Sequence, residues 1–175
     1  LGLILFGVVL AQAAQAEVVT YAPAQGAAQG ELVIYSTLDN HLAAPLISAF
    51  QRSQPQVAVR YEDLLAGEIA ARVMSETAAG QPTADFVFSS AMDMQIKLAN
   101  DGYAQAVAVP AASNWPDWAN WQDTAFALTF EPGVLVYHKP SFPDGPPQSR
   151  LELMEWLVQA PPEMQGKIGT YDIER

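Results

Sequence analysis

Small hydroxyl residues and carboxylates recur in three short polar stretches of this chain. The first stretch contains Ser36, Thr37 and Asp39, the second contains Gly67 and Glu68, and the third contains Ser89, Ser90 and Asp93. Hydroxyl groups and the backbone N–H groups beside them can hold a carboxylate, a phosphate or a metal-borne oxyanion. The same residue types also cap helices, and capping explains each stretch taken singly. Three stretches that meet in one place would favour ligand binding.

Each polar stretch lies between a predicted strand and a predicted helix. The strands are predicted at residues 32–35, 57–61 and 85–88, which are apolar or alternate between apolar and polar side chains. Strands that alternate with helices predict an α/β fold with a parallel sheet. The carboxyl ends of parallel strands meet at one edge, where ligands of such sheets bind. We therefore expect the three stretches to lie together.

The helices that follow these strands have apolar residues at helical spacing. The first is expected to bury Leu42, Leu46 and Phe50, and the second Ile69, Val73 and Met74. Ser90 and Asp93 have the spacing of a capping box at the start of the third helix, and Gly102 is placed to end it. The pattern predicts a sheet flanked by helices.

Composition excludes several classes of protein. The chain has 175 residues, of which 50% are hydrophobic, enough for one ordinary domain or two small lobes. Without cysteine, it has no disulfide scaffold, thiolate zinc site or thiol catalysis. Its 19 acidic and 8 basic residues give a net charge of −11, which disfavours nucleic acid and anionic membranes as partners and is typical of a soluble surface.

The sequence offers little support for catalysis. It contains no nucleophile elbow, no P-loop and no Gly-x-Gly-x-x-Gly after the first strand. Two histidines, His41 and His138, are too few for a histidine-rich metal cluster. We therefore expect a protein that binds a ligand and is not an enzyme.

Residues 1–11 form an uncharged apolar run, and residues 12–16 follow it with the small-x-small pattern Ala14-Gln15-Ala16. This pattern predicts a secretory signal peptide that is cut before Glu17. The rival interpretation, a transmembrane anchor, needs about 20 apolar residues, more than the run contains. Residues 17–30, rich in Ala, Gln and Gly, are predicted to be a linker. Because the chain starts without Met and ends in a strand-like stretch, we expect the protein to extend beyond both ends.

Periodicity weakens after Tyr103. Three tryptophans follow closely on one another: Trp115, Trp118 and Trp121. They could line a site for a sugar or a quaternary amine. The favoured interpretation is that they pack an irregular segment onto the fold. Further along, the sequence predicts a strand at 133–137, a proline-rich boundary at 141–148, a helix at 151–158 and a strand from Lys167.

Six short motifs follow one another along residues 31–175. They are LVIYST at 32–37, AF at 49–50, AGEIAAR at 66–72, ADFVF at 84–88, FEPGVLVY at 130–137 and GKIGTYD at 166–172. Together they resemble the periplasmic solute-binding proteins of ABC importers, most closely the ferric-iron type. The order and spacing carry the resemblance, because each motif alone is short.

The resemblance implies a two-lobed α/β fold of the periplasmic-binding-protein type. The first lobe, a parallel-type sheet flanked by helices, would span residues 31–138, and residues 139–175 would hold the crossover and the start of an incomplete second lobe. The ligand would lie between the lobes, against the loops at 36–39, 66–68 and 89–93 and against Tyr171. The resemblance also implies a monomeric periplasmic protein that delivers its ligand to an ABC permease in the inner membrane.

The resemblance leaves the ligand open between Fe(III) and a small organic anion. Iron-binding members commonly place a histidine in the loop after the first strand. Asp39 holds that position here, with His41 two residues later. Because a carboxylate can also bind Fe(III), Asp39 is the expected metal ligand. No resident cofactor is expected, since iron would be the cargo.

Two other functions fit the same sequence. A solute-loaded protein can present its ligand to a membrane sensor kinase, and a kinase gene beside this one would favour that role. An exported enzyme would need catalytic residues outside this sequence, and turnover by the full-length protein would favour it.

Overall fold

The computed structural model describes residues 17–164 and 166–170. Contacts within the chain divide it into two units, one ending at Phe126 and the other beginning at Ala127. The lobe boundary predicted after residue 138 lies further along the chain. No helix among the described residues is long and apolar enough to span a membrane. The predicted signal peptide at 1–16 and Tyr171 lie outside the described residues.

The first unit is built on a four-stranded sheet in the order β1-β3-β2-β4. Its strands are β1 (Glu17–Tyr21), β2 (Gly30–Ser36), β3 (Val57–Asp63) and β4 (Phe86–Phe88). β2 runs parallel to both β3 and β4, so the predicted parallel sheet is confirmed for these three strands.

The edge strand β1 pairs antiparallel with β3, from Glu17 opposite Asp63 to Tyr21 opposite Val59. It lies in the segment that the sequence predicts to be a linker. The run Val-Val-Thr-Tyr favours a strand, but it is too short to stand out from the Ala- and Gln-rich residues that follow. The linker prediction is therefore corrected for these five residues.

Helices cover both faces of the sheet. They are α1 (Asn40–Ser53), α2 (Ala66–Ala78) and α3 (Met92–Asn100). On one face, Ala43 and Ile47 of α1 pack with Val59 and Tyr61 of β3. On the other face, α2 and α3 form a second core, which contains Tyr35, Leu64, Ile69, Val73 and Leu98. Successive strand side chains point to opposite faces, so the same strands supply both cores.

The buried stripe of α1 differs from the predicted one. Ala43, Ile47 and Gln51 are buried, whereas Leu42 and Leu46 are 53% and 57% exposed. Both stripes have helical spacing, so periodicity cannot choose between them. The small Ala43 side chain allows close approach of the helix to the sheet.

The Gln51 side chain helps to fix this orientation of α1. Its amide nitrogen donates to the carbonyl oxygen of Ala22 at 2.8 Å and to that of Val57 at 3.0 Å. A buried amide is tolerated only when its donors find partners. The polar residue therefore helps to select the face of α1 that meets the sheet.

The second and third helices follow the predicted pattern more closely. Ile69 and Val73 are buried as predicted, while Met74 is 36% exposed. Gly102, just after α3, has a φ of +86°, the left-handed conformation that ends many helices. The predicted end of this helix is confirmed.

The tryptophan-rich segment after α3 packs by aromatic and polar contacts. It contains the hairpin of β5 (Asn120–Trp121) and β6 (Ala125–Phe126). Trp115 lies edge-on to Phe126, with ring centroids 5.9 Å apart. Trp121 Nε1 donates to Asn100 Oδ1 at 2.9 Å. These contacts agree with the packing interpretation for two of the tryptophans, whereas Trp118 is exposed.

The second unit contains one α-helix in its described residues, α4 (Arg150–Gln159), close to the predicted helix at 151–158. Ser149 precedes it, and its hydroxyl accepts from the Glu152 N–H at 3.1 Å. The Glu152 carboxylate in turn accepts from the Gln148 N–H at 2.8 Å. These two hydrogen bonds cap the first turn of α4 and explain where the helix begins.

The strand predicted at 133–137 is wrong. Residues 127–138 contain no strand, and Phe130 and Val136 are 82% and 92% exposed. Residues 166–170 also contain no strand, although one was predicted from Lys167. A strand needs a neighbour for its backbone N–H and C=O groups, and the described part of this unit supplies none.

We expect Ile47→Ala to destabilise the first unit far more than Leu46→Ala. Ile47 is 4% exposed, so its truncation leaves a core cavity and costs about 2–5 kcal/mol. Leu46 is exposed, and its truncation should cost about 0.5 kcal/mol or less. Urea unfolding followed by circular dichroism measures both values. Equal losses would contradict the orientation of α1.

Candidate functional site

At β2, the order in which the chain connects the strands of the sheet changes direction. The chain passes from β2 through α1 to β3 on one side, and then through α2 to β4 on the other side of β2. The loops after β2 and β4 therefore lie side by side at this switch point. Ligands of α/β sheets bind at such a switch point, outside the carboxyl ends of the strands. Ser36, Thr37 and Ser89 lie there.

Thr37 and Ser89 join these two loops by direct contact. Thr37 Oγ1 lies 3.2 Å from Ser89 Oγ, and the Thr37 N–H donates to the Phe88 carbonyl oxygen at 3.2 Å. Ser89 Oγ also accepts from the Ala91 N–H at 3.1 Å. Both hydroxyl residues are half-buried. The first and third polar stretches therefore meet at the centre of this edge.

Ser36 lies at the end of β2, beneath the surface of this edge. It is fully buried, and its hydroxyl accepts from the Leu38 N–H at 3.0 Å. The Tyr61 hydroxyl donates to the Leu38 carbonyl oxygen from the neighbouring strand. The Ser36 carbonyl oxygen accepts from the Leu64 N–H at 2.8 Å. Ser36 thus shapes the loop after β2, and burial shields its side chain from the surface.

Two carboxylates face the N-terminus of α1. Asp39 directly precedes the helix, its side chain is 66% exposed, and its Oδ2 lies 3.9 Å from His41 Nδ1. Asp63 ends β3, and its carboxylate lies close to the backbone of Asn40 at the start of α1. Asp63 was not selected from the sequence. Its place at the end of an alternating strand is the same signal that selected the other strand ends.

Negatively charged side chains lie close together at the start of α1. Burial raises the pKa of the Asp63 carboxyl, and the negative charges of Asp39 and Glu17 raise it further. The backbone N–H of Asn40 acts in the opposite direction and lowers this pKa. An added anion would increase the repulsion, whereas a cation or a hydrogen-bond donor would relieve it.

The second polar stretch forms the first turn of α2. Glu68 Oε2 accepts a hydrogen bond from the Leu65 N–H at 3.0 Å, so this exposed carboxylate caps the N-terminus of its own helix. Gly67 lies beside it, and a Cβ at this position would meet no heavy atom within 4 Å. The backbone of this turn is therefore open to approach.

Ser90 and Asp93 do not form the predicted capping box. The helix α3 begins at Met92, with Ala91 as its N-cap residue and no side-chain cap. The hydroxyl of Ser89 already holds the Ala91 N–H, which places the helix start one residue later than predicted. The side chains of Ser90 and Asp93 are exposed at the edge.

The loops at this edge are rich in acceptors. Residues 36–41, 63–68 and 89–93 contain no Lys or Arg and four carboxylates: Asp39, Asp63, Glu68 and Asp93. Within residues 17–164 and 166–170, no three His, Asp or Glu side chains group closely enough to hold a metal ion. Fe(III) at Asp39 would therefore need further ligands from outside the described part of the chain.

The edge is an open surface and not an internal cavity. Beneath Ser89, between α2 and α3, the structure leaves about 10 Å³, the room of one water at most. A concavity of about 410 Å³ lies in the second unit around Phe142 and Trp156. No residue predicted for the site lines that concavity.

Comparison with known proteins supports this architecture. The crystal structure of the substrate-binding protein of the ABC transporter from Agrobacterium tumefaciens matches 92% of this chain, with 52% sequence identity and a TM-score of 0.74. The chain spans about half of that protein, 48% of its length. Its sheet flanked by helices therefore matches the fold of a substrate-binding protein. No protein-family model and no curated protein matches the chain.

We expect Asp63→Asn to stabilise the first unit at about pH 7, by no more than about 1 kcal/mol. A carboxyl whose pKa is raised by folding opposes folding when it is ionised, and this effect disappears as the pH falls through that pKa. The advantage of the variant should therefore shrink as the pH is lowered from about 7 towards the ordinary pKa of an aspartate carboxyl.

Thermal unfolding across this pH range measures the advantage. Asparagine keeps an acceptor for the Asn40 N–H, so the variant changes mainly the charge. Glu31→Gln, at the amino end of β2 and thus at the opposite edge, is the matched control. An Asp63→Asn variant that is less stable than the wild type at about pH 7 would contradict the repulsion.

Proposed function

We propose that this chain is part of the extracytoplasmic solute-binding component of an ABC transporter. The observation that carries the proposal is its 52% identity, over 92% of the chain, to a substrate-binding protein of an ABC transporter. The contact of Thr37 with Ser89 at the switch point supports it, because α/β sheets bind small ligands there. In this role the protein passes its ligand unchanged to a permease in the inner membrane.

The proposal includes a monomeric, two-lobed protein that works in the periplasm. The first unit would form one lobe, and residues of a second lobe, among them Tyr171, would close over the ligand. A signal-peptide cut before Glu17 would place the mature N-terminus at the first residue of β1. The division of the chain after Phe126 supports a separate second lobe.

We further propose that the first unit binds the donor-rich or cationic part of the ligand. Asp39, Asp63 and the hydroxyls beside them are acceptors, and the loops at the edge contain no Lys or Arg. The N–H groups of Leu65 and Ala91, at the starts of α2 and α3, already donate to Glu68 and Ser89. Fe(III), with Asp39 as a ligand, fits this unit better than an organic anion, whose charge would need basic residues elsewhere.

Thermal-shift screening of the full-length mature protein tests solute binding. The panel contains ferric citrate, citrate alone, spermidine, a sugar phosphate and inorganic phosphate. A ligand present at about 100 times its Kd adds about 2.7 kcal/mol to the free energy of unfolding. We expect stabilisation by ferric citrate or spermidine and none by inorganic phosphate. A folded sample that responds to no compound would overturn the proposal.

We expect Asp39→Ala to weaken Fe(III) binding about tenfold or more, because it removes an exposed carboxylate ligand. Glu31→Ala is the matched control, since this exposed carboxylate lies at the opposite edge of the sheet. Titration calorimetry with ferric citrate measures both affinities. If Asp39→Ala and Glu31→Ala bind iron equally well, Asp39 is not a ligand.

A further inference from the structure

A buried carboxylate joins β3 to α2 directly behind the candidate site. Glu62 is 1% exposed, and its two oxygens pair with Arg60 Nη2, at 2.7 Å, and with Arg72 Nη1. Arg72 lies in the second turn of α2, and its Nε also donates to Glu76 Oε1 at 3.0 Å. Among the described residues, Glu62 is the one buried carboxylate.

Tyr35 of β2 completes this network. Its hydroxyl lies 3.1 Å from each carboxylate oxygen of Glu76, and the Arg72 guanidinium lies 4.4 Å from the centre of its ring. Burial, together with the hydrogen bond to Glu76, raises the pKa of Tyr35 to about 12, so its hydroxyl stays a donor at physiological pH. Directional contacts thus join β2, β3 and α2.

Two strand residues of the network, Tyr35 and Glu62, directly precede residues of the candidate site. Ser36 follows Tyr35, and Asp63 follows Glu62. Because successive strand side chains point to opposite faces, the network holds each strand from the α2 side just where its loop begins. Arg72 lies about one turn beyond the polar stretch that begins α2. The network is therefore placed to set the position of this stretch.

Apolar packing alone does not set that position. Ile69 and Val73 pack against Leu64 and Tyr35, but hydrophobic contacts have no preferred direction. Hydrogen bonds between charged groups are directional and define one geometry.

We propose that Glu62 and Arg72 are positioning residues of the ligand site. Their ion pair holds the first turn of α2 and the loop after β3 in register with the loop after β2. The proposal rests on the proposed function for what these loops bind. Its structural part concerns the unliganded protein.

Amide hydrogen exchange of the unliganded full-length protein, followed by NMR, tests the structural part. Arg72→Met keeps much of the side-chain length and removes the charge. We expect the hydrogen-bonded amides of Leu64 and Ile69 to exchange about tenfold faster, while that of Ala43 in α1 is unchanged. Arg52→Met, which removes an exposed arginine from the end of α1, is the matched control and should change none of the three.

Arg72→Lys separates positioning from general stability. Lysine keeps the positive charge but lacks the planar guanidinium group of arginine. The Leu64 and Ile69 amides should therefore exchange more slowly in Arg72→Lys than in Arg72→Met. Equal acceleration at Leu64, Ile69 and Ala43 in Arg72→Met would indicate a general loss of stability and overturn the proposal. Unchanged exchange at all three amides would overturn it as well.

Titration with ferric citrate tests the link to the ligand site. The affinity for ferric citrate should be lower in Arg72→Met than in the wild type, and the affinity of Arg72→Lys should lie between the two. Accelerated exchange with unchanged iron affinity would overturn the positioning role. If the wild type itself binds no compound of the panel, the proposed function fails instead, and the exchange pattern still reports on the ion pair.

Discussion

The burial of Glu62 is the constraint on which the arrangement of the first unit depends. Its side chain is 2% exposed, and a charged carboxylate is stable at such a depth only with partners. Arg60 comes from the same strand, whereas Arg72 comes from the helix behind it, so pairing Glu62 fully requires α2 to lie at one position. Loss of one partner from a fully buried pair costs about 3–5 kcal/mol. The cost is smaller here, because both guanidinium groups reach solvent.

The polar stretches have a structural role and remain available for binding. Glu68 and Ser89 accept hydrogen bonds at the start of α2 and just before α3. Carboxylate and hydroxyl oxygens can accept more than one hydrogen bond, so capping does not exhaust them. The edge therefore offers acceptors while several of its donors are engaged. Under the proposed function, this asymmetry favours cations and hydrogen-bond donors as the ligand groups that bind to this unit.

Sequence prediction was correct where a local pattern is compatible with only one local structure. The buried positions Ile69 and Val73 and the end of α3 at Gly102 were predicted from spacing and from a turn residue. It was wrong for α1, where the spacing of apolar residues fits two buried faces, one that contains Leu46 and one that contains Ile47. It was also wrong for the strand at 133–137, because a strand depends on a neighbour that the local sequence does not specify.

The sequence by itself determined that strands alternate with helices and that hydroxyls and carboxylates follow the strands. These are local properties, since the periods of 2 and 3.6 residues and the turn residues are read from neighbouring positions. Only the tertiary structure decided that Thr37 meets Ser89, that Asp63 faces the start of α1 and that Ser36 is buried. The strand order and the rotation of each helix come from contacts between residues far apart in the chain, and a local pattern contains no information on those contacts.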